Sequence, residues 1–353
     1  MMRDVVTPTL FTIVFMLFTG LYGFVKFSHQ NDYATHHNMV TKAKEHVGSV
    51  SAVATPVYHD NLGDEAHQHV SMLEDQHVIT GFSRPLITYS YVESPTALEN
   101  LMFFLDNGLH GAADFIFILN GPTDVAKFIP SRTNIQVVSR PNECFVLGAH
   151  GEVLRKDGLY KKYSRFITLN SDIRGPFLPY SNHGCWSDAF LHQVTEDVKL
   201  VGMTANCLPK FHIPSMIWAT DTLGMELLLN LREDASASNT ASGNGQVAAF
   251  QGCYSNKEQA FNGEVEATAI IKKAGYEVDA LMTAFHASQD YEEYCAKDPV
   301  GDVLEDKQYN NTDAHPYETI FIKATRDTDP VTVGRLTDWY QSHASNDTLG
   351  MCG

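Results

Sequence analysis

Asp172 and Arg174 stand two residues apart in Asn170-Ser171-Asp172-Ile173-Arg174-Gly175-Pro176, directly after the apolar run 166–169. In an open α/β sheet, ligands gather beyond the carboxyl ends of strands, so this is where chemistry is first sought. A carboxylate there can reach a divalent cation, and a guanidinium can offset the charge of a departing diphosphate. The same residues also suit an Asx-type turn closed by Gly175 and Pro176, and spacing alone favours the turn.

Three further places follow or precede apolar runs. One is 140–149, with Asn142 and Glu143 just beyond the strand predicted at 135–139. Another is His212-Ile213-Pro214-Ser215-Met216, ahead of Asp221. The last is Gly263-Glu264-Val265-Glu266, inside a helical stretch. Taken alone, Glu264 reads equally well as a helix-dipole partner and His212 as a satisfied core histidine. There is no G-x-S-x-G elbow, no G-x-G-x-x-G, no G-x-x-x-x-G-K-[ST] and no H-E-x-x-H. The strongest signals for an α/β-hydrolase, a dinucleotide cradle, a P-loop and a zincin are therefore missing.

The elements that must hold these residues alternate between strand and helix. Strands are predicted at 86–92, 114–119, 135–139, 166–169, 198–205, 213–220 and 315–324. The run Phe115-Ile116-Phe117-Ile118-Leu119 is continuously apolar, as a strand buried on both faces requires. Helices are predicted from Ser94, as N-cap, to Gly108, over 222–231, and over 258–274 with Gly275 as the stop. Alternation of this kind predicts a mainly parallel sheet covered on both faces. The stretch 233–246 is small and polar and reads as a loop. The acidic run 289–313 reads as surface, and 333–340 as one short amphipathic segment in a tail.

The chain has 353 residues, and roughly 270 remain once an anchor and a stalk are set aside. A formal charge of −17 argues against nucleic acid as a partner, because phosphate binding needs a basic surface. Residues 5–25 carry no charge. At 1.5 Å per residue they span about 31 Å, close to the hydrocarbon thickness of a bilayer. That run is longer than a signal-peptide core and lacks a clean small-x-small end, so it reads as an uncleaved anchor. Residues 27–77 are polar and hold eight histidines, read as a stalk, with His67-x-His69 the best metal pair within it. Six cysteines without a C-x-x-C pair fit either disulfides in an oxidising lumen or buried thiols. The sequons Asn310-Asn311-Thr312 and Asn346-Asp347-Thr348 lean toward the lumen.

As a set, these segments resemble a family of eukaryotic glycosyltransferases similar to the bacterial rhamnan-synthesis glycosyltransferases. The run Arg165-Phe166-Ile167-Thr168-Leu169-Asn170-Ser171-Asp172-Ile173-Arg174-Gly175-Pro176-Phe177-Leu178-Pro179 is similar to its F-L-N-S-S-V-R-G-P-F-L-P segment. Asn142-Glu143-Cys144-Phe145 with Gly148-Ala149 resembles its N-E-C-F-D-L-G-A, with Val146 in place of the Asp. His212-Ile213-Pro214-Ser215 matches its H-x-Q-S, with Pro214 in place of Gln. The stretch from Glu264 to Ala274-Gly275-Tyr276 and the tetrad His315-Pro316-Tyr317-Glu318 match later segments. Asp172 stands where the family often has Ser. Coverage runs from about residue 86 to 324.

The resemblance implies a GT-A-like nucleotide-diphospho-sugar transferase fold and sugar transfer to a glycan, protein or lipid acceptor. The expected organisation is a signal-anchor at 1–27, a His-rich stalk at 28–78, the transferase domain at 79–330 and a tail at 331–353. It places the protein as a type II single-pass protein of the Golgi or endoplasmic reticulum membrane, domain lumenal. Asp172 and Glu264 are the expected catalytic carboxylates, Glu264 as general base. Asn142, Glu143, Asn170, Ser171, Arg174, His212 and Ser215 are the expected donor contacts. Asp172 and His315 are the expected ligands of a Mn²⁺ or Mg²⁺ ion. The alternative is a non-catalytic, membrane-tethered glycan-binding or scaffolding relative on the same fold, which Val146 favours.

Overall fold

The computed structural model describes residues 84–230 and 247–343, apart from 183, 298, 300 and 327. The anchor at 5–25, the stalk, the polar loop 233–246, Asn346 and Cys352 lie outside the described residues. No described helix is long and apolar enough to cross a membrane. The described residues all belong to one compact unit, Ile79–Gly353.

The chain opens with β1 (Leu86–Val92), α1 (Pro95–Asn107), β2 (Asp114–Asn120), β3 (Ile135–Arg140), α2 (Phe145–Arg155) and β4 (Arg165–Asn170). It continues through β5 (Ile173–Arg174), α3 (Trp186–Leu191), β6 (Val198–Gly202), β7 (Ile217–Asp221), α4 (Thr222–Leu229) and α5 (Lys257–Lys273). It ends with β8 (Glu277–Ala280), α6 (Thr283–Ala287), α7 (Tyr291–Lys297), α8 (Pro316–Thr319), β9 (Ile322–Lys323) and α9 (Pro330–His343). Seven strands form one sheet in the order β3-β2-β1-β4-β7-β6-β8. All neighbours run parallel except at β7, which is antiparallel to both β4 and β6. A separate ribbon pairs β5 with β9, Ile173 opposite Lys323 and Arg174 opposite Ile322. The architecture is thus α/β with a mostly parallel sheet, compatible with a Rossmann-like fold.

Burial explains why β2 is apolar from Phe115 to Leu119. In β2, Phe115 to Leu119 are all at most 3% exposed, as expected of a strand with helices on both faces. On one face Phe104 of α1 packs against Tyr89, Phe115, Phe117, Trp186 and Phe321. On the other, His150 of α2 meets Thr88 through Nδ1 at 2.9 Å and Phe250 edge-on. Burial pushes the His150 imidazole down to about 3, so it is neutral in the core. α1 starts where Ser94 accepts from the Ala97 N–H at 3.1 Å and Pro95 takes a position that needs no donor.

Several boundaries differ from the sequence expectation, each for a local reason. The strand predicted at 213–220 begins only at Ile217. Ile213 donates its N–H to Thr268 Oγ1 instead, and Ser215 donates to Glu264. The strand predicted at 198–205 stops at Gly202. The segment 140–149 is a loop only to Cys144, because α2 starts at Phe145. The strand predicted at 315–324 is a correction. His315 caps the short helix α8, whose first residue is Pro316, and only Ile322 and Lys323 are extended. The run 289–313 contains the buried Tyr291, Cys295, Val303 and Leu304. Within the segment read as a tail, α9 packs Tyr340 against Phe103 and Phe177 and exchanges hydrogen bonds with the Leu178 backbone.

Candidate functional site

From β1 the chain steps outward to β2 and β3, then returns past both to form β4 on the other side of β1. The β1/β4 seam is therefore the topological switch point, where a crevice opens at the carboxyl ends of the strands. Asn170, Ser171 and Asp172 stand at that end of β4. Because β7 is reversed, its start lies at the same edge, with Leu169 opposite Ile217. The Asn170 N–H donates to the Met216 carbonyl at 3.2 Å, and Ser171 N–H donates to Ser90 of β1 at 3.0 Å.

Asp172 is held by its backbone and left open by its side chain. Its N–H donates to Asn170 Oδ1 at 3.0 Å, so the Asx turn is formed. Its carbonyl accepts from Ala324 N–H at 3.1 Å, which ties the β9 ribbon to the site. The carboxylate is solvent-open, yet crowding by protein raises its pKa above the ordinary carboxylate range, against the opposing pull of Lys323 and Lys257. Its exposure keeps that rise modest. Beneath it, the Tyr89 hydroxyl is buried without a hydrogen-bond partner among the described residues. Burial, and then the charge of Asp172, push that phenol up. Lys257 is exposed in the first turn of α5, and Lys323 pairs with Asp302 at 3.4 Å.

Arg174 does not face the crevice contents. It is buried, with Nε donating to Asn100 Oδ1 at 2.8 Å and Nη2 to Glu99 Oε2 at 2.7 Å. Thr337 of α9 takes a longer contact from Nη1 at 3.4 Å. A guanidinium spent this way clamps α1 and α9 to β5 and has little left for a leaving group. The expected donor contact at Arg174 is corrected accordingly.

Ser215 and Glu264 are brought together. Glu264 Oε2 accepts from the Ser215 N–H at 2.8 Å and from its hydroxyl. A Cβ at Gly263 would stand 2.3 Å from the Tyr254 hydroxyl, so only glycine lets α5 approach closely enough here. His212 is 1% exposed. Its Nδ1 meets the Lys210 carbonyl at 2.8 Å, and its Nε2 has no partner among the described residues. It belongs to the core beside Phe261 rather than to the crevice surface.

Asn142 and Glu143 lie at the end of β3, beside a different recess. That cavity, about 470 Å³, is lined by Asn142, Glu143, Cys144, Phe145, Tyr254 and Ser255. The Cys144–Cys253 disulfide closes its wall. Arg140 braces it from below, donating to Glu152, to Asn120 Oδ1 at 2.8 Å and to the Glu143 carbonyl at 2.9 Å. Asn120 in turn donates to Ser90 Oγ and the Tyr91 carbonyl, both at 3.0 Å, locking the ends of β1, β2 and β3 together.

His315 is exposed and its Nδ1 accepts from the Tyr317 N–H at 3.1 Å, the work of a helix cap. Among the described residues no group of three or more His, Cys, Asp or Glu side chains is placed to hold a metal ion. Asp172 therefore offers one carboxylate rather than a cage, the type of site that holds Mg²⁺ only together with substrate phosphates. Sequence reasoning missed Tyr89, Lys257 and Lys323. Lys323 had a usable signal, a cation ending the apolar run Ile320-Phe321-Ile322. The other two are placed by long-range packing alone.

No protein-family model matches the chain, and no curated protein matches it.

Proposed function

We propose that this chain is a membrane-anchored glycosyltransferase that moves a sugar from a nucleotide-sugar donor to a glycan, protein or lipid acceptor. The observation that carries the reading is Asp172. It is a solvent-open, partly desolvated carboxylate at the switch-point end of β4, within the electrostatic reach of Lys323 and Lys257. A mainly parallel sheet with one reversed strand supports the GT-A-like fold that the motifs imply.

In this reading the donor diphosphate lies at the β4 end, where Lys257 and Lys323 offset its charge. Asp172 would be the protein carboxylate that holds Mn²⁺ or Mg²⁺ there, and the ion would supply positive charge to the diphosphate. His315 drops out of the ligand set, because its ring caps α8. Glu264 keeps the base role through Oε1, since Oε2 is taken by Ser215. It draws the proton from an acceptor hydroxyl as that oxygen attacks the anomeric carbon and the carbon–oxygen bond to the diphosphate breaks. Asn170 Oδ1 fixes Asp172 by accepting its N–H, and Ser215 fixes Glu264 by donating its N–H and hydroxyl to the carboxylate.

The disulfides Cys144–Cys253 and Cys207–Cys295, both among the described residues, support an oxidising lumen as the domain's compartment. With the apolar run 5–25 as signal-anchor, that gives a type II protein of the Golgi or endoplasmic reticulum. The test is a panel of activated sugars assayed for transfer and hydrolysis with Mn²⁺ or Mg²⁺. One donor should turn over, and Asp172→Ala should lower its turnover by about 10²–10³-fold. Unchanged turnover in that variant would sink the assignment. Failure of every donor to bind would favour the glycan-binding relative.

A further inference from the structure

Asn310 lies far along the chain from either carboxylate. Asn310 and Asn311 form the tip of a tight hairpin, with φ of 50° and 62°. Tyr309 and Thr312 close it as a β-bridge, by N–H to carbonyl bonds of 3.1 and 2.9 Å. Paired positive φ angles are what a two-residue hairpin turn demands, and Asn tolerates them better than any other residue with a side chain. The Asn310 side chain is exposed, and no hydrogen bond holds it among the described residues. The third residue, Thr312, supplies the hydroxyl that the acceptor pattern requires.

Beside this tip lies a recess of about 290 Å³ lined by Asn310 and by Ala284, Ala287, Tyr291, Tyr294 and Tyr309. Tyr309 is held rigid there. Its hydroxyl accepts from Ala284 N–H at 3.0 Å and donates to Glu318. Aromatic rings with fixed polar ends offer flat apolar faces, the kind of surface on which the C–H face of a sugar ring rests.

We propose that Asn310 carries an N-linked oligosaccharide whose first sugar lies over this tyrosine recess. In the attachment step the Asn310 carboxamide nitrogen loses a proton and bonds to the anomeric carbon of a lipid-pyrophosphate-linked oligosaccharide. The carbon–oxygen bond to the pyrophosphate breaks, and the lipid pyrophosphate leaves with the electron pair. Attachment precedes closure of the hairpin, because in the folded turn the Thr312 hydroxyl is already given to the Tyr309 carbonyl at 2.6 Å. The inference rests on the lumenal reading of the domain, but not on its transferase activity.

The full chain is produced in a eukaryotic secretory host, and the peptide containing Asn310 is examined by mass spectrometry beside the state of its thiols. The expected result is a glycan on Asn310 that is lost in Asn310→Asp and in Thr312→Ala. Asn310→Asp keeps a residue suited to the turn, so it should also melt with the same cooperative transition. Enzymatic release of the glycan should be slower from the native protein than from the unfolded one. Equal rates would overturn the recess contact. Unmodified Asn310 in a protein whose cysteines are oxidised overturns the site. Unmodified Asn310 with free cysteines overturns the lumenal reading along with it, and the thiol measurement tells the two failures apart.

Discussion

At the end of β3, Arg140 is buried and pinned by Glu152 and Asn120; beyond β4, in β5, Arg174 is buried and pinned by Glu99 and Asn100. Arg140 is the last residue of β3 and Arg174 the last of β5, and from sequence Arg174 is expected to face a ligand. Both are braces. The two ends differ in what the brace supports. Beyond β3 it supports a recess walled by a disulfide and lined by Glu143 and Phe145. Beyond β4 it supports Asp172, a carboxylate crowded by protein and eased by the charges of Lys323 and Lys257. The lesson is that the guanidiniums fix the geometry at both ends, while the chemistry we propose is given to the residue two positions before Arg174.

The contrast breaks most visibly in turnover. Asp172→Ala should lower donor turnover by about 10²–10³-fold, the usual scale for removing an electrostatic contact in a site. Glu143→Ala, its counterpart beyond β3, should act mainly on KM. Equal losses in kcat from the two variants, measured under saturating donor, would erase the distinction. Glu264→Gln should lower kcat by about 10²-fold with the protein still folded, as loss of a general base does. If kcat holds and only the melting temperature falls, Glu264 serves Ser215 alone.

The braces should show in stability instead. Arg174→Ala and Arg140→Ala should each cost about 2–3 kcal/mol by denaturant unfolding, because each removes hydrogen bonds to charged or buried partners. Whatever fraction stays folded should still bind donor. The smallest effect is a pH dependence. The Asp172 carboxyl is raised in the folded state, so its ionisation costs stability that is present at low pH and lost as pH rises through the folded pKa. Asp172→Asn should therefore melt slightly higher than wild type at neutral pH. That difference should vanish below about pH 3.9, the model-peptide value. A variant that melts lower at neutral pH would mean that Asp172 is a structural anchor.

Much of this was legible in the residues. The apolar run Phe115–Leu119 and the Ser94-Pro95 start of α1 place themselves, because burial on both faces and helix capping act over a few neighbours. The Asx turn at Asn170–Asp172 was one of two readings that the spacing allowed, and the structure contains it, with the carboxylate still open. Three things were not legible. The reversal of β7 depends on pairing with β4, which is settled by partners far away in sequence. The shortened strand before Ile217 depends on Glu264, 49 positions on, taking the Ser215 N–H. The fate of Arg174 depends on Glu99 and Asn100, 75 and 74 positions back. A side chain's neighbours in sequence do not reveal whether its donors are already spent.

The most direct test of the role given to Asp172 is a calorimetric titration of nucleoside-diphosphate sugars into wild type and Asp172→Asn, with and without Mn²⁺. The account predicts that one donor binds wild type, more tightly with Mn²⁺, and that the Mn²⁺ dependence is lost in Asp172→Asn. Donor binding that is identical in the two proteins, with the same response to Mn²⁺, would contradict it.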